Sequence, residues 1–367
     1  MKIAIFHNFL DNIGGAEMVG LTLARELNAD IYTTNIDAEK IRRMGFEEIL
    51  PRIFSIGKVP LNAPFRQQIA LFRFRFLNLK NKYDFYIIDG DWAMSGAVNN
   101  HPNLWYVHSP IREIWDLYEY TRNNTVPFIF RYIFDVWVMI NRRMNRKYAK
   151  NVDVLACNSQ NTKNRIKKYF GRNAFVINPP IETSKFNYAK NGDFWLSVNR
   201  LITHKRVEMQ MGAFSKLPNE KLFIVGSYEK AAHFKKYANF IKRMKPENVE
   251  IKSWISKEEL ISLYSNCKGF ITTSKDEDFG MNTIEAMASG KPVIAPNDGG
   301  YKETIVNGKT GILIDDINED KIINAIKTIE KNPETYKNAC QGQAARFDTK
   351  IFIEKISIIM NNGKLSS

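Results

Sequence analysis

No stretch of this 367-residue sequence runs to 18 apolar residues, so nothing in it reads as a transmembrane helix. The first residues, MKIAIFHNFLDN, hold neither a long apolar segment nor a cleavage site, and a signal peptide is not expected. Cysteine is scarce. Cys157, Cys267 and Cys340 stand far apart, match no disulfide or zinc spacing, and fit a reducing cytoplasm. A G-x-G-x-x-G fingerprint is missing, which disfavours a nicotinamide or flavin site, and a G-x-x-x-x-G-K-[ST] loop is missing, which argues against a P-loop NTPase. Internal repeats and low-complexity tracts are absent as well.

What is present begins with size and charge. The length suggests two domains, and 44% hydrophobic residues are enough to bury ordinary cores. The net charge is +14, and residues 1–190 hold 27 Lys and Arg against 17 Asp and Glu. A basic half attracts anionic partners, either nucleic acid or an acidic membrane surface.

Short apolar runs alternate with longer amphipathic stretches along the whole chain. KIAIFH (2–7), DIYT (30–33), FYIID (85–89), LWYVH (104–108), VLACNS (154–159) and AFVI (174–177) read as buried strands of a first half. FWLSVN (194–199), LFIVG (222–226), VEIKSW (249–254), GFITTS (269–274), PVIA (292–295) and GILI (311–314) repeat the pattern in a second half. Alternation of this kind predicts parallel, doubly wound sheets, with enough strands for two. The Pro-rich NPPIETSKFN (178–187) is the expected hinge. Open parallel sheets take ligands at the carboxyl ends of their strands, so motifs placed there carry most weight.

DEDFGMNTIEAMASGKPVIA (276–295) puts Glu277 and Glu285 on either side of a Phe-Gly step between a strand and a helix. Asn282 or Thr283 is the expected N-cap, and Gly280 lets the backbone approach a ligand whose phosphate suits the first helical turn. Carboxylates repel phosphates, so the two glutamates should grip hydroxyls of the same ligand. An acidic first turn favoured by the helix dipole is the plain alternative. In WLSVNRLITHKR (195–206), Arg200, Lys205 and Arg206 follow a strand end and can neutralise a diphosphate. NIGGAE (12–17) opens a helix after the first strand with Gly14 and Gly15, and either clearance or a ligand explains them. His108 ends the LWYVH strand ahead of Ser109 and Pro110.

PFRQQIALFRFRFLNLKNK (64–82) spaces Arg66, Arg73 and Lys80 seven apart as one cationic stripe beside Phe65, Ile69, Phe72 and Phe76. An interfacial helix on anionic lipid and a core helix with one wet face both look like this. FIFRYIFDVWVMINRRMNRKYAK (128–150) has the same two readings.

With these residues assembled, the chain resembles the family 4 glycosyltransferases. EDFGMNTIEAMASGKPVIA (277–295) follows that family's frame of two glutamates separated by seven residues, and DGGYKETIVNGKTGILI (298–314) continues it. GGAE (14–17), YVHSP (106–110) and RLITHKR (200–206) fall where the family has their counterparts, and YVHSPIREIWDLYEY looks most like a mannosyltransferase subgroup for surface polysaccharides. The resemblance implies an α/β GT-B fold, two Rossmann-like doubly wound domains facing across a cleft. Residues 1–180 would bind the acceptor and 181–345 the nucleotide sugar, with 346–367 a carboxyl-terminal helix that can return to the first domain.

It also implies roles. Glu277 would hold sugar hydroxyls and Glu285 the ribose. Backbone groups of Phe279, Gly280, Met281 and Asn282 would meet sugar and phosphates, Arg200 and Lys205 the diphosphate, and Trp254 and Ile255 the base. His108 would touch the sugar, and Gly14 and Gly15 would approach phosphate or acceptor. The expected activity is retaining, metal-independent hexosyl transfer, with mannose from GDP-mannose as first reading and UDP-glucose, UDP-galactose or UDP-GlcNAc as alternative donors. No cofactor is expected, and Asp89-Gly90-Asp91, the nearest thing to a metal triplet, lies in the wrong half. The acceptor would be lipid-linked or a surface glycan, reached at the inner face of the membrane through the anionic surface that 64–82 and 128–150 would contact, with no nucleic acid bound. A glycosidase using Glu277 and Glu285 ranks lower because the cationic site beside them has no purpose there, and a non-catalytic anion-binding protein ranks lower because it leaves the carboxyl half unexplained.

Overall fold

The computed structural model describes residues 1–226, 232–253 and 255–363. Its contacts divide the chain into two units, Met1–Pro180 with the chain from Phe352 onward, and Ile181–Ile351. Each unit is built on one parallel sheet. The first sheet holds β1 (Ile3–Phe6), β2 (Asp30–Thr33), β3 (Ile53–Ser55), β4 (Phe85–Ile88), β5 (Asn103–Val107), β6 (Val154–Cys157) and β7 (Phe175–Val176). The second holds β8 (Phe194–Val198), β9 (Lys221–Val225), β10 (Val249–Lys252), β11 (Gly269–Ile271), β12 (Val293–Pro296) and β13 (Gly311–Ile314).

Strand order is what positions the sites. The first sheet runs β3-β2-β1-β4-β5-β6-β7 and the second β10-β9-β8-β11-β12-β13. In each, the chain winds outward one way from its first strand and then returns to wind the other way. The order therefore reverses between β1 and β4 and between β8 and β11, and the helices on either side diverge there, opening a crevice at the strand ends. The registers Ile5↔Ile31 and Ile5↔Ile87 fix β1 in the middle of its sheet, and its four residues are all buried. A strand covered on both faces reads as an unbroken apolar run, which is why IAIF and FYII were legible as strands. β3 was not expected. It is three residues long, half exposed, and follows a turn containing Pro51.

The helix Phe65–Phe76 buries Ala70, Leu71 and Phe74 and ends well before Lys80. The expected stripe of Arg66, Arg73 and Lys80 is therefore broken. Lys80 lies beyond the helix, Arg66 pairs with Asp11, and Arg73 donates to the carbonyls of Ile56 and Lys58 at 3.0 Å. The apolar residues beside it face outward instead, with Phe65 68% and Phe76 77% exposed. The helix Arg131–Ala149 buries Val138, Asn141, Asn145 and Tyr148, a spacing of three and four that traces one face. Tyr132, Ile133, Met139 and Ile140 remain exposed, as do Phe128 and Ile129 just before it. Gln68 ties the two helices together by donating to Asn141 Oδ1 at 2.8 Å. Among the described residues no helix is long and apolar enough to cross a membrane. The last helix, Thr349–Gly363, sets Phe352 edge-on against Tyr106, ring centroids 5.5 Å apart, within the first unit.

Candidate functional site

In the second unit the crevice between β8 and β11 is closed from both strand ends. After β8 the chain turns once through Thr203–Lys205, and Arg206 takes a left-handed φ of 50° before the helix Val207–Ser215 begins. That turn is stitched to the end of β11: Thr273 Oγ1 donates to the carbonyls of Lys205 and Arg206, and Arg206 Nε donates to Thr273 O at 2.7 Å. The stitching aims Lys205 at the loop after β11, where its Nζ lies 2.6 Å from Glu277 Oε2. Ser274 Oγ donates to the same oxygen.

Burial alone would push the Glu277 carboxyl up. The Lys205 charge and hydrogen bond, the Ser274 hydroxyl and the His204 charge outweigh it, and the net result is a drop to about 2. Glu277 is therefore anionic at any ordinary pH, and it fixes a cation at the strand ends. A lysine has three donors, so two remain for a ligand anion. Arg200 lies exposed in the same loop, five residues earlier.

The loop and helix around Glu277 are held by close backbone contacts. Gly280, not Asn282 or Thr283, caps the helix Met281–Ala288, with φ at +88°. A Cβ there would also lie 2.7 Å from the Tyr301 ring, so both conformation and space require glycine. The predicted caps do other work: Asn282 Nδ2 donates to Val198 O at 2.7 Å, tying the helix to β8, and Thr283 Oγ1 donates to Gly280 O. The first turn of this helix leaves amide groups without intrahelical acceptors at the crevice. Gly299 and Gly300 press on the other side of the loop, where added Cβ atoms would meet Glu277 O at 2.5 Å and Phe279 Cα at 2.5 Å.

The remaining expected donor residues fall as follows. Phe279 is buried against Phe347, so any ligand contact is through its backbone. Met281 is half-buried, and Ile255 packs against the core of this unit. Trp254 lies outside the described residues. Glu285 accepts from Tyr264 Oη at 2.8 Å, and burial raises its carboxyl against the opposing pull of Tyr264 and Lys257. The two glutamates are thus driven in opposite directions by their surroundings. Asp276-Glu277-Asp278 has D-x-D spacing, which the sequence reading did not weigh. Its central carboxylate already serves Lys205 and Ser274, and among the described residues no three His, Cys, Asp or Glu side chains converge as metal ligands would.

In the first unit the crevice between β1 and β4 holds a different arrangement. His7, Asp89 and His108 follow β1, β4 and β5. Asp89 Oδ2 lies 2.8 Å from His7 Nδ1, and Asp89 Oδ1 lies 2.8 Å from His108 Nε2. Burial would lift the Asp89 carboxyl, but the two histidines bring it below the usual carboxylate range. Burial likewise pushes His7 down, while the hydrogen bond and charge of Asp89 with the charges of Glu17 and Asp91 carry it above the usual value. Asn158 Nδ2 donates to His108 O at 2.7 Å and fixes the backbone of that residue. The helix Gly15–Glu26 follows β1, with Gly14 as its extended cap. Gly20 on that helix makes room for the cluster, since a Cβ would meet Asp89 Oδ2 at 2.5 Å.

Sequence reasoning found His108 and missed both of its partners. His7 stood in the quoted KIAIFH strand and Asp89 in the rejected metal triplet. The signal available was that all three end neighbouring strands, and using it requires the strand order.

Comparison with known proteins adds the family. Residues 180–346 match the glycosyl transferases group 1 family. The chain carries a group 1 glycosyltransferase domain. The match covers the sheet, the Lys205–Glu277 pair and the Gly280 cap together. Among full-length relatives, alpha-1,3/1,6-mannosyltransferase ALG2 of Dictyostelium discoideum is 27% identical over 98% of both chains. A GDP-mannose-dependent alpha-(1-6)-phosphatidylinositol monomannoside mannosyltransferase of Mycolicibacterium smegmatis is 26% identical over 57% of this chain and 61% of its own. The crystal structure of Anabaena HepE in complex with UDP and glucose superposes with a TM-score of 0.77 at 18% identity, covering 98% of this chain and 99% of that one. The two parallel sheets are the two Rossmann-like domains of the GT-B fold, and the chain is a glycosyltransferase.

Proposed function

We propose that this glycosyltransferase moves mannose from GDP-mannose, with retention and without a metal, to a lipid-linked or surface-glycan acceptor at the cytoplasmic face of a membrane. The observation that carries the reading is the Lys205–Glu277 pair, 2.6 Å across and set at the reversal point of the sheet inside the glycosyltransferase domain. The full-length likeness to ALG2 and the likeness to a GDP-mannose-dependent enzyme support the sugar and the donor.

Breaking the sugar–phosphate bond leaves its electron pair on the diphosphate and an oxocarbenium-like sugar. Stabilisation is needed mainly on the leaving group, and preorganised cations and amides supply it without reorganising as charge develops. Lys205, held by Glu277, and Arg200 take that part beside the amides of Phe279–Asn282. Glu277 also accepts from sugar hydroxyls and Glu285 from the ribose. In the first unit His108, oriented by Asp89, is assigned to the sugar and Gly14 and Gly15 to phosphate or acceptor. The departing phosphate helps take the acceptor proton in a front-face substitution. The exposed aromatic residues of Phe65–Phe76 and 128–140, with the excess of basic residues in this half, support attachment to an anionic membrane.

The test is a thermal-shift screen, since only ligands of the native state raise stability. GDP-mannose should raise the melting temperature of the wild type and not of Lys205→Ala. A shift with UDP-glucose and none with GDP-mannose would overturn the donor, and an equal GDP-mannose shift in Lys205→Ala would overturn the site.

A further inference from the structure

On the helix Arg131–Ala149, Arg142 and Arg143 lie three and four residues after Met139, and Arg146 lies four and three residues after them, so the four share one side of the helix. They line a cavity of about 280 Å³ together with Tyr118 and Asp135. The one carboxylate in this lining is already engaged. Asp135 accepts from Arg122 Nε at 2.8 Å and from Tyr118 Oη at 2.7 Å, and these bonds hold it below the usual carboxylate range.

Two of the arginines are fixed through their Nε groups and not by acids. Arg142 Nε donates to Ile114 O at 2.6 Å, and its guanidinium stacks over Trp115 and Tyr118. Arg146 Nε donates to Tyr169 O at 3.1 Å and also lies over Trp115. Both forks thereby keep their Nη groups for a ligand, and Arg143 is exposed on the same face. Trp115 is 8% exposed and its Nε1 has no acceptor. Three guanidinium groups around one cavity whose single carboxylate is taken up by Arg122 and Tyr118 suit a phosphate, which accepts paired N–H donors from planar forks. Apolar residues border it on the same helix: Met139 forms part of the wall, and Tyr132, Ile133, Val136 and Ile140 are exposed along it.

We infer that this cavity is a binding site for the phosphate group of an amphipathic lipid, with Arg142, Arg143 and Arg146 on the phosphate and the apolar flank of the helix on the hydrocarbon chain. The inference rests on the reading of a lipid-linked acceptor at a membrane, and it adds the residues that take the lipid's charged end. It predicts that recognition is of phosphate and not of negative charge in general, because a forked, stacked arginine cluster is specific in geometry where a lysine-rich surface is not.

The test is equilibrium sedimentation with vesicles, without donor or transfer, so a wrong donor assignment leaves its result intact. Phosphatidylcholine vesicles are doped either with phosphatidic acid or, to equal charge, with oleate. The wild type should bind the phosphatidic acid vesicles more tightly, and Arg143→Ala should lose about tenfold on them and little on oleate, the scale of one charge-assisted hydrogen bond. Arg143→Lys should recover part of the loss, and Lys331→Ala, which removes one exposed charge from the other unit, should change nothing. Arg143 is exposed, so its replacements leave the fold intact, and circular dichroism checks this. Equal binding to both vesicle types, or equal losses in Arg143→Ala and Lys331→Ala, would overturn the inference. So would inorganic phosphate displacing the vesicles at concentrations equal to that of the lipid phosphate, since the hydrocarbon chain would then contribute nothing.

Discussion

At the β1/β4 crevice one buried aspartate holds two imidazoles, while at the β8/β11 crevice a lysine and a serine hold one glutamate. Both clusters sit where strand order reverses, so the fold offers the two units the same place and the sequence fills it with different chemistry. In the first cluster Asp89 holds His7 above its usual value against the pull of burial. In the second, Lys205 and Ser274 bring the Glu277 carboxyl down to about 2, so it stays charged across the ordinary range. A sheet of this type thus fixes where a ligand group can be met, and only the strand-end residues decide what meets it.

Three substitutions break or sharpen that contrast. The largest effect is expected at Asp89→Asn, which leaves two histidines facing an amide in a buried site. Removing one partner of a buried charged cluster costs about 3–5 kcal/mol, and urea unfolding should record a loss of that size. A loss under about 1 kcal/mol, the scale of an exposed pair, would mean packing alone holds the histidines. Next is Lys205→Ala, expected to lower kcat for mannosyl transfer by about 10²–10³, the scale for losing one preorganised electrostatic donor. A change in KM with kcat intact would show that Lys205 binds ground state and transition state equally.

The smallest effect is a slope with pH. His7 is raised above 6.5, so its contribution to stability is complete below that value and is lost as pH climbs through the folded pKa. Asp89 is lowered from 3.8, so its contribution is present above that value and fades only as pH falls through the folded pKa. The first cluster therefore stabilises fully between the ordinary carboxylate and imidazole values and weakens as pH climbs through the raised folded pKa of His7. Glu277, brought from 4.5 to about 2, contributes above 4.5 and is lost only as pH falls toward 2. His7→Asn keeps a donor to Asp89 but does not titrate, so thermal unfolding from pH 6 to 9 should be flatter than in the wild type. An identical slope would remove His7 from the account.

Much of the fold was legible because its strands are short apolar runs buried on both faces, as in FYII and VIAP. β3 escaped because a half-exposed three-residue strand has no such run. At the second site, Lys205 and Glu277 were readable from motif spacing, but their direct bond was not, since 72 residues separate them. The helix cap was misplaced by two or three residues because polar caps are the usual signal and here a positive φ at Gly280 sets it. The cationic stripe at 64–82 failed for a similar reason. Heptad spacing locates side chains on a helix only while the helix lasts, and this one stops at Phe76. His7 and Asp89 stayed hidden because 82 residues separate them, and only the sheet makes them neighbours.

The interlock between Gly299, Gly300 and the backbone of 277–279 has a bearing on how such enzymes diversify. Gly300 N donates to Glu277 O at 2.8 Å, so the loop that carries the glutamate and the segment after β12 form one mechanical part. A side chain added to either glycine pushes on the other segment, so neither can drift alone. Change is thereby channelled to residues outside the knot, whose side chains can vary without moving the charged pair.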